Sequence, residues 1–238
     1  MTGLAGEWEH SMRLVRLEHA SVVFTDRVGG VSDRPYDSLN LGKYTDDDPA
    51  LVDANLDLVR ERIGLARLWS LHQVHGARLH EITTDSPDEP EEGDGLFTQL
   101  AGKGLLVTGA DCPPVALATP SRVAILHCGW RPLAAGIVEQ EIARIGDGPL
   151  QAAIGPGIGA ARYEVGPEVP EALGPDGRNH YANGRLDLRG VIEEKLDRAR
   201  PDFLETNLDC TFEQAELYFS HRRDKGHTGR QAGIAWRS

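Results

Sequence analysis

The residues with the greatest chemical reach in this chain stand where apolar runs stop. "GLLVTGADC" ends on Asp111 and Cys112, "VAILHC" ends on His127 and Cys128, and "LWSLHQVHG" ends on His75 directly before a glycine. A residue at a strand's end faces a cleft more often than one at its centre, because strand tips and loops line the openings of folds. Two imidazoles and a thiolate brought together in this way suit zinc, which takes nitrogen and sulfur ligands at about 2.0–2.3 Å. Three protein ligands with a fourth position left to water mark a catalytic site rather than a structural one. Water held there loses its proton near neutral pH and becomes a nucleophile.

The residue types alone leave other readings open. Cys112 and Cys128 also fit a role as buried fillers with His127 a satisfied core imidazole, since free cysteine is often fully buried. Cys112 with His127 or His75 also fits a metal-free nucleophilic dyad, the histidine oriented by Asp111. A thiolate ligand and a thiolate nucleophile both need a lowered pKa, so sequence does not separate them. The arginines form a second feature. Arg27 lies in the loop "TDRVGGVSDRPYDSLNLG", Arg131 follows "HCGW" at a helix start, and Arg222, Arg223 and Arg230 lie in "SHRRDKGHTGR". Guanidinium forks and a helix N-terminus are what a phosphate or carboxylate needs; the neighbouring Asp26 and Asp224 offer the plainer reading of ion-paired surface arginine. "GPGIGAARYEVG" reads as a tight loop, because Pro156 and a misplaced third glycine exclude a dinucleotide fingerprint.

The elements that must position these groups follow from periodicity and breakers. "SVVF" reads as a strand that feeds the Gly/Asp/Pro-rich loop. "DDDPALVDANLDLVRERIGL" carries a helix with Asp48 as N-cap, Pro49 in the first turn, Val52, Leu56, Val59 and Ile63 on one face, and Gly64 closing it. "LWSLHQV" and "RLHEIT" read as strands joined at His75–Gly76, followed by an acidic surface loop, "TTDSPDEPEEGD". "GLLVTGA", "PVALAT" and "RVAILHC" are strands. "WRPLAAGIVEQEIARIG" reads as one helix with Ala134, Val138, Ile142 and Ile145 inward. "PLQAAIG" is a strand, "LDLRGVIEEKLDRA" a helix and "QAGIAWR" the closing strand. Strands mixed with a few helices, without strict βαβ alternation, predict an α+β class. No composition break divides the chain, so one domain over residues 1–238 is expected.

The bulk composition bounds the partners. The 238 residues suffice for a sizeable core. A net charge of −12 argues against affinity for nucleic acid or an anionic membrane. No run approaches the ~20 apolar residues that span a bilayer, and charges interrupt the first twenty positions, so a cytoplasmic protein is expected. Three cysteines, an odd number, argue against a disulfide framework. Nothing in the sequence points to an obligate protein partner.

"TDRVGGVS…YDSLNLG", "QVHG", "TGADCPPV", "HCGWR", "IGPGIG…YEVG" and "YFSHRRDKGHTGRQ" appear in that order. Together they resemble the YfiH-type family, also called the laccase-domain, polyphenol-oxidase-like or peptidoglycan-editing-factor family, from Val22 to Trp236. The resemblance implies a single α+β domain of mixed sheets covered by helices. It implies one zinc held by the His of QVHG, the Cys of ADC and the His of HxGWR, here His75, Cys112 and His127. It implies phosphorolysis of adenosine, inosine, guanosine or methylthioadenosine to base and sugar-1-phosphate, with adenosine deamination as a side activity and Asp111 as a proton shuttle. Arg27, Asn40, Arg131 and Arg223 are then the candidates for substrate and phosphate. Pro132 stands where the family commonly has Gly. Zinc, not copper, is the expected ion: multicopper oxidation needs roughly ten histidines, typically in His-x-His pairs, and this chain contains no HxH. Two other readings remain: an editing hydrolase for peptidoglycan precursors that uses Cys112 and a histidine, and a non-catalytic nucleotide-binding module.

Overall fold

The structure, a computed structural model, describes residues 12–87, 90–146 and 148–238. The elements run β1 (Met12–Arg16), β2 (Ala20–Thr25), α1 (Pro49–Arg62), β3 (Leu68–Trp69), β4 (Leu79–Glu81), β5 (Gly95–Thr98) and β6 (Gly104–Gly109). They continue β7 (Pro114–Ala118), β8 (Val123–His127), α2 (Trp130–Ala134), α3 (Ile137–Ile145), β9 (Gln151–Ile154), α4 (Glu168–Ala172) and α5 (Gly174–Asn179). The short hairpin β10 (Tyr181–Ala182) and β11 (Arg185–Leu186), α6 (Leu188–Asp197), β12 (Phe203–Thr206) and β13 (Gln231–Arg237) complete the chain. One sheet has the order β1-β2-β13-β6-β3 and the other β12-β9-β7-β8-β5-β4. Both are mixed: β3 runs parallel to β6, β4 to β5 and β12 to β9, and the remaining pairs are antiparallel. This is the expected α+β architecture. Of the expected domain over 1–238, the first eleven residues lie outside the described ones.

Alternation along the strands shows why they read as continuous apolar runs. Phe24, Val107, Ala116 and Ile125 share one buried cluster between the two sheets. Their chain neighbours turn the opposite way: Val23 and Leu106 meet Leu56 and Val59 of α1, while Val115, Leu117 and Leu126 meet Leu133, Ile137 and Val191 of the other helices. Both faces of each sheet are therefore covered, giving four layers, and a strand buried on both faces shows no polar alternation.

Helix α1 is capped as read: the Asp48 carboxylate accepts from the Ala50 N–H at 2.9 Å, and Gly64 beyond the last turn has φ +71°. The single helix expected over "WRPLAAGIVEQEIARIG" is instead two. Gly136 takes φ +80° and breaks the chain between α2 and α3. The break turns Ala134 outward, and Leu133, Ile137 and Val138 fill the core in its place. Pro132 fits the first turn of α2, where its missing N–H has no partner to lose. The run "LWSLHQV" is strand only at Leu68–Trp69, and its remainder forms an irregular loop reaching the site. Of the acidic loop, Gly93 and Asp94 are buried rather than on the surface.

Candidate active site

Three backbone segments meet at one end of the paired sheets. His127 is the last residue of β8 and pairs in register with Pro114 at the start of β7, which sets Cys112 beside it. The Cys112 turn is held from behind. The Asp111 carbonyl accepts from the Ile158 N–H at 2.8 Å, and Gly157 packs so close that a Cβ there would lie 2.4 Å from Pro113 Cγ. Asp111 itself has φ +100°, an unfavourable conformation for a residue with a Cβ. Its carboxylate accepts from Thr211 Oγ1 and from the Arg222 N–H, both at 2.7 Å, and these bonds fix the turn.

His75 arrives on the irregular loop at φ +57°. Gln73 ties that loop to β6: its side-chain oxygen accepts from the Thr108 N–H and its amide donates to the Thr108 carbonyl, both at 2.8 Å. Asp94, fully buried, completes the arrangement. Its carboxylate accepts from three consecutive backbone N–H groups, Val74 (3.2 Å), His75 (3.0 Å) and Gly76 (2.7 Å), and from His127 Nδ1 at 2.8 Å. One side chain thus orients two of the candidate ligands and turns the Nε2 of His127 toward Cys112.

The donor atoms of His75, Cys112 and His127 all lie within 4.8 Å of one another, and the two imidazole rings meet edge-on with centroids 4.9 Å apart. Gly129 leaves the room, since a Cβ there would stand 2.9 Å from Cys112 Sγ and 3.5 Å from His75 Cδ2. Burial by itself raises the Cys112 thiol, but the His127 charge and hydrogen bonds from His127 and His75 outweigh it and bring it down to about 6. Burial by itself lowers His127; the Cys112 thiolate and the Asp94 hydrogen bond overcome that and lift it to about 9. Asp94 is held below the ordinary carboxylate range, because the His127 bond and backbone N–H groups outweigh its burial. Each of Cys112 and His127 thus favours the charged form of the other, with the His75 ring beside them. Two imidazoles and a thiolate with a carboxylate behind one histidine are a donor set that fits zinc.

The family model described as "Multi-copper polyphenol oxidoreductase laccase" matches residues 21–238. The chain belongs to this YfiH-type, laccase-domain family. It is 34% identical over 227 residues to the purine nucleoside phosphorylase YfiH of Escherichia coli (strain K12), covering 88% of this chain and 90% of that protein. Identity to the Streptomyces coelicolor purine nucleoside phosphorylase SCO2081 is 36% over 231 residues, 90% of this chain and 93% of that protein. The crystal structure of Neisseria meningitidis protein NMB0706 superposes with a TM-score of 0.88 at 29% identity, over 96% of this chain and 99% of that one. Among the described residues of this YfiH-type chain, His75, Cys112 and His127 form the one group of three or more such donors close enough to share an ion. Such a group offers ligands for one ion.

The other expected residues divide. A cleft of about 450 Å³ opens over the three donors and is lined by Asp111, Arg131, Tyr163, Arg222 and Arg230, with Lys43 and Tyr44 on its rim. Arg131 belongs to it, exposed, with its guanidinium 4.4 Å from the Trp130 ring centre. Arg27 and Arg223, expected at an anion pocket, lie together in a different groove. Arg27 donates to the Asp37 and Ala215 carbonyls, and Arg223 to Asp224 and the carbonyls of Thr211 and Tyr218, so both act as braces between loops. Asn40 is fully buried behind the cleft, its oxygen accepting from the N–H groups of Gly42 (3.0 Å) and Arg230 (2.8 Å). Asp111 does not orient a histidine; Asp94 does, and the Asp111 oxygens are occupied elsewhere. His72 stacks on Tyr44 and His80 bonds the Glu92 carbonyl, both outside the donor group. Cys128 is buried, and that burial pushes its thiol well up.

Sequence reasoning missed Asp94, Gln73 and the distinction of Arg230. Asp94 carried a readable signal, a lone aspartate between glycines directly before the strand "GLFT". Gln73 did not, because its partner Thr108 lies on a strand distant in sequence.

Proposed function

We propose that the chain is a zinc-dependent purine nucleoside phosphorylase, with adenosine deamination as a side activity, working in the cleft above His75, Cys112 and His127. The observation that carries the reading is the convergence of these three donors at the floor of a cationic cleft, in a chain similar over its length to proteins named purine nucleoside phosphorylases. The cleft's size falls within the roughly 300–1,000 Å³ of small-molecule sites. In phosphorolysis a phosphate oxygen bonds to C1′ as the C1′–N9 bond breaks, the bond's electron pair leaves with the purine, and the purine takes up one proton. In deamination water adds at C6 of adenosine and ammonia leaves. A bound zinc supplies Lewis-acid polarisation and a lowered pKa for coordinated water.

The chain's own residues supply the rest. Asp94 holds His75 and His127 in place, Arg131, Arg222 and Arg230 offset phosphate charge, and Tyr163 and Trp130 offer aromatic walls for a base. The substrates under this reading are purine nucleosides and inorganic phosphate. It places the protein in the cytoplasm, where free thiols persist. Among the described residues no helix is long and apolar enough to cross a membrane. The test is a spectrophotometric assay of purified, zinc-replete protein with inosine and phosphate, expected to yield hypoxanthine in a phosphate-dependent manner; absence of turnover with all four purine nucleosides contradicts the proposal.

One observation favours a second reading. The lowered Cys112 pKa and its bonds to His127 and His75 also describe an activated nucleophile, as an editing hydrolase of peptidoglycan precursors would use. That reading predicts hydrolysis without metal and accumulation of serine-containing muropeptides in a deletion strain.

A further inference from the structure

The cleft runs against the charge of the molecule. The chain carries 37 acidic and 25 basic residues, yet Lys43, Arg131, Arg222 and Arg230 line this one opening against a single carboxylate, Asp111. That carboxylate is already engaged by Thr211 and the Arg222 N–H. Three of the four cations sit at the exposed rim, and Lys43 has Asp53 as a partner at 3.4 Å. Arg230 differs. It is half-buried, and among the described residues no carboxylate pairs with it.

Its orientation is fixed from both ends. The backbone N–H donates to Asn40 Oδ1 at 2.8 Å. The side-chain stem packs against Gly42 so closely that a Cβ on Gly42 would lie 2.6 Å from Arg230 Cγ. One terminal nitrogen, Nη1, donates to the carbonyls of Thr228 (2.7 Å) and Gly229 (2.9 Å). These contacts leave the other edge, Nε–H and Nη2–H, without a protein acceptor among the described residues. That edge is the one that grips two oxygens of a phosphate in parallel. A half-buried guanidinium without a direct ion-pair partner among the described residues gains from an arriving anion, and a pinned one loses little entropy when it binds one. Arg230 lines the same cleft as His75, Cys112 and His127, so an anion held on its free edge shares that cleft with the three donors.

We propose that the Nε/Nη2 edge of Arg230, pre-set by Asn40 and Gly42, is the phosphate subsite of this cleft, and that it takes inorganic phosphate. The assignment deepens the phosphorylase reading and rests on it for the identity of the anion. It moves the phosphate contact from Arg27 and Arg223, which brace loops in another groove, to a residue that lines the cleft over the three donors.

The test is titration of inorganic phosphate into the full-length purified protein by calorimetry, in parallel with inosine alone and with inosine 5′-monophosphate. The expected result for Arg230→Gln is a loss of phosphate affinity of about tenfold or more, corresponding to ~1.4 kcal/mol, with inosine affinity unchanged. Arg230→Lys keeps the stem and charge but not the fork, and should lose less; it also serves as the folded control if the Gln variant is unstable. Arg131→Gln should weaken phosphate less than Arg230→Gln does. Equal phosphate affinity in wild type and Arg230→Gln overturns the subsite, as does an equal loss for phosphate and inosine. Binding of the monophosphate that depends on Arg230, with no such binding of free phosphate, also overturns it and assigns the edge to a nucleotide. If Arg230-dependent phosphate binding persists but inosine is never cleaved, the phosphorylase reading falls and the subsite stands.

Discussion

Asp94 is the residue on which the centre's geometry turns, because one carboxylate restrains both the His75 loop and the His127 ring. Asp94→Asn keeps the shape and one acceptor oxygen but removes the charge that orients the imidazole. It should weaken zinc about 10–100-fold, read by competition with a chromophoric chelator, while the chain stays folded. An unchanged zinc affinity would reduce Asp94 to a loop brace. Asp94→Ala also removes the acceptor of three part-buried N–H groups and should cost stability as well, by about 1–3 kcal/mol in all. Cys112 offers a second test at this scale. With its pKa near 6 it is mostly thiolate at pH 7.5, so metal-stripped protein should react with iodoacetamide at Cys112 well before buried Cys128 and Cys210. Zinc should protect it. Peptide mass mapping of the alkylated sites reads the order directly.

The elements show what was legible in the sequence and why the rest was not. Helix α1 was plain because its signals are local: Asp48, Pro49 and Gly64 each act within a turn of their own position. The meeting of the three donors was legible because His127 and Cys112 end apolar runs, and because the family motifs group His75 with them. His75 was found for a partly wrong reason, since it sits in a bend fixed by Gln73 and Asp94 and not at a strand tip. The division of α2 from α3 was missed because Gly136 sits in an otherwise helical pattern, where a glycine is often tolerated. Arg27 and Arg223 fall in a different groove from the donors, because partners such as Asp37 and Thr211 become neighbours only through folding, whereas Arg131 lies in the cleft as expected. Such tertiary pairs also set element-level stability. Asp176 on α5, buried, takes bonds from Lys195 on α6 and from Arg198 just past that helix's end. The Arg198 hydrogen bond, outweighing burial and joined by Lys195, holds its carboxyl below the ordinary range. A depressed carboxylate stabilises above its unfolded pKa, and that stability is lost as pH falls through the folded value. Asp176→Asn should therefore cost about 1.5–3 kcal/mol at pH 7 and flatten the acid limb of the stability–pH curve below about pH 4, measured by urea unfolding across pH. An acid limb identical to wild type would contradict the pairing.

At the scale of the whole molecule, four layers bring distant segments to one end of two sheets, where His75, Cys112 and His127 from three of them meet. An ion that binds the assembled trio but not the unfolded chain must add to global stability, by about 2.7 kcal/mol at a hundredfold excess over Kd. Chelation should lower Tm by several degrees, at about 2–4 °C per kcal/mol for a chain of this size, and zinc should restore it. A Tm indifferent to chelator would mean that the trio holds no ion in the native protein. The same architecture sets a cleft lined by Lys43, Arg131, Arg222 and Arg230 into an acidic molecule. Under the proposed reading a small phosphate-bearing ligand should be favoured there over a polyanion, which meets the repulsion of the surrounding surface.

The most direct measurement is metal content set beside inosine phosphorolysis in the purified protein and in His75→Ala, Cys112→Ala and His127→Ala. The account predicts about one zinc per chain with turnover in the parent, and joint loss of both in all three variants. Turnover in a metal-free parent, abolished by Cys112→Ala while metal content stays nil throughout, would contradict it.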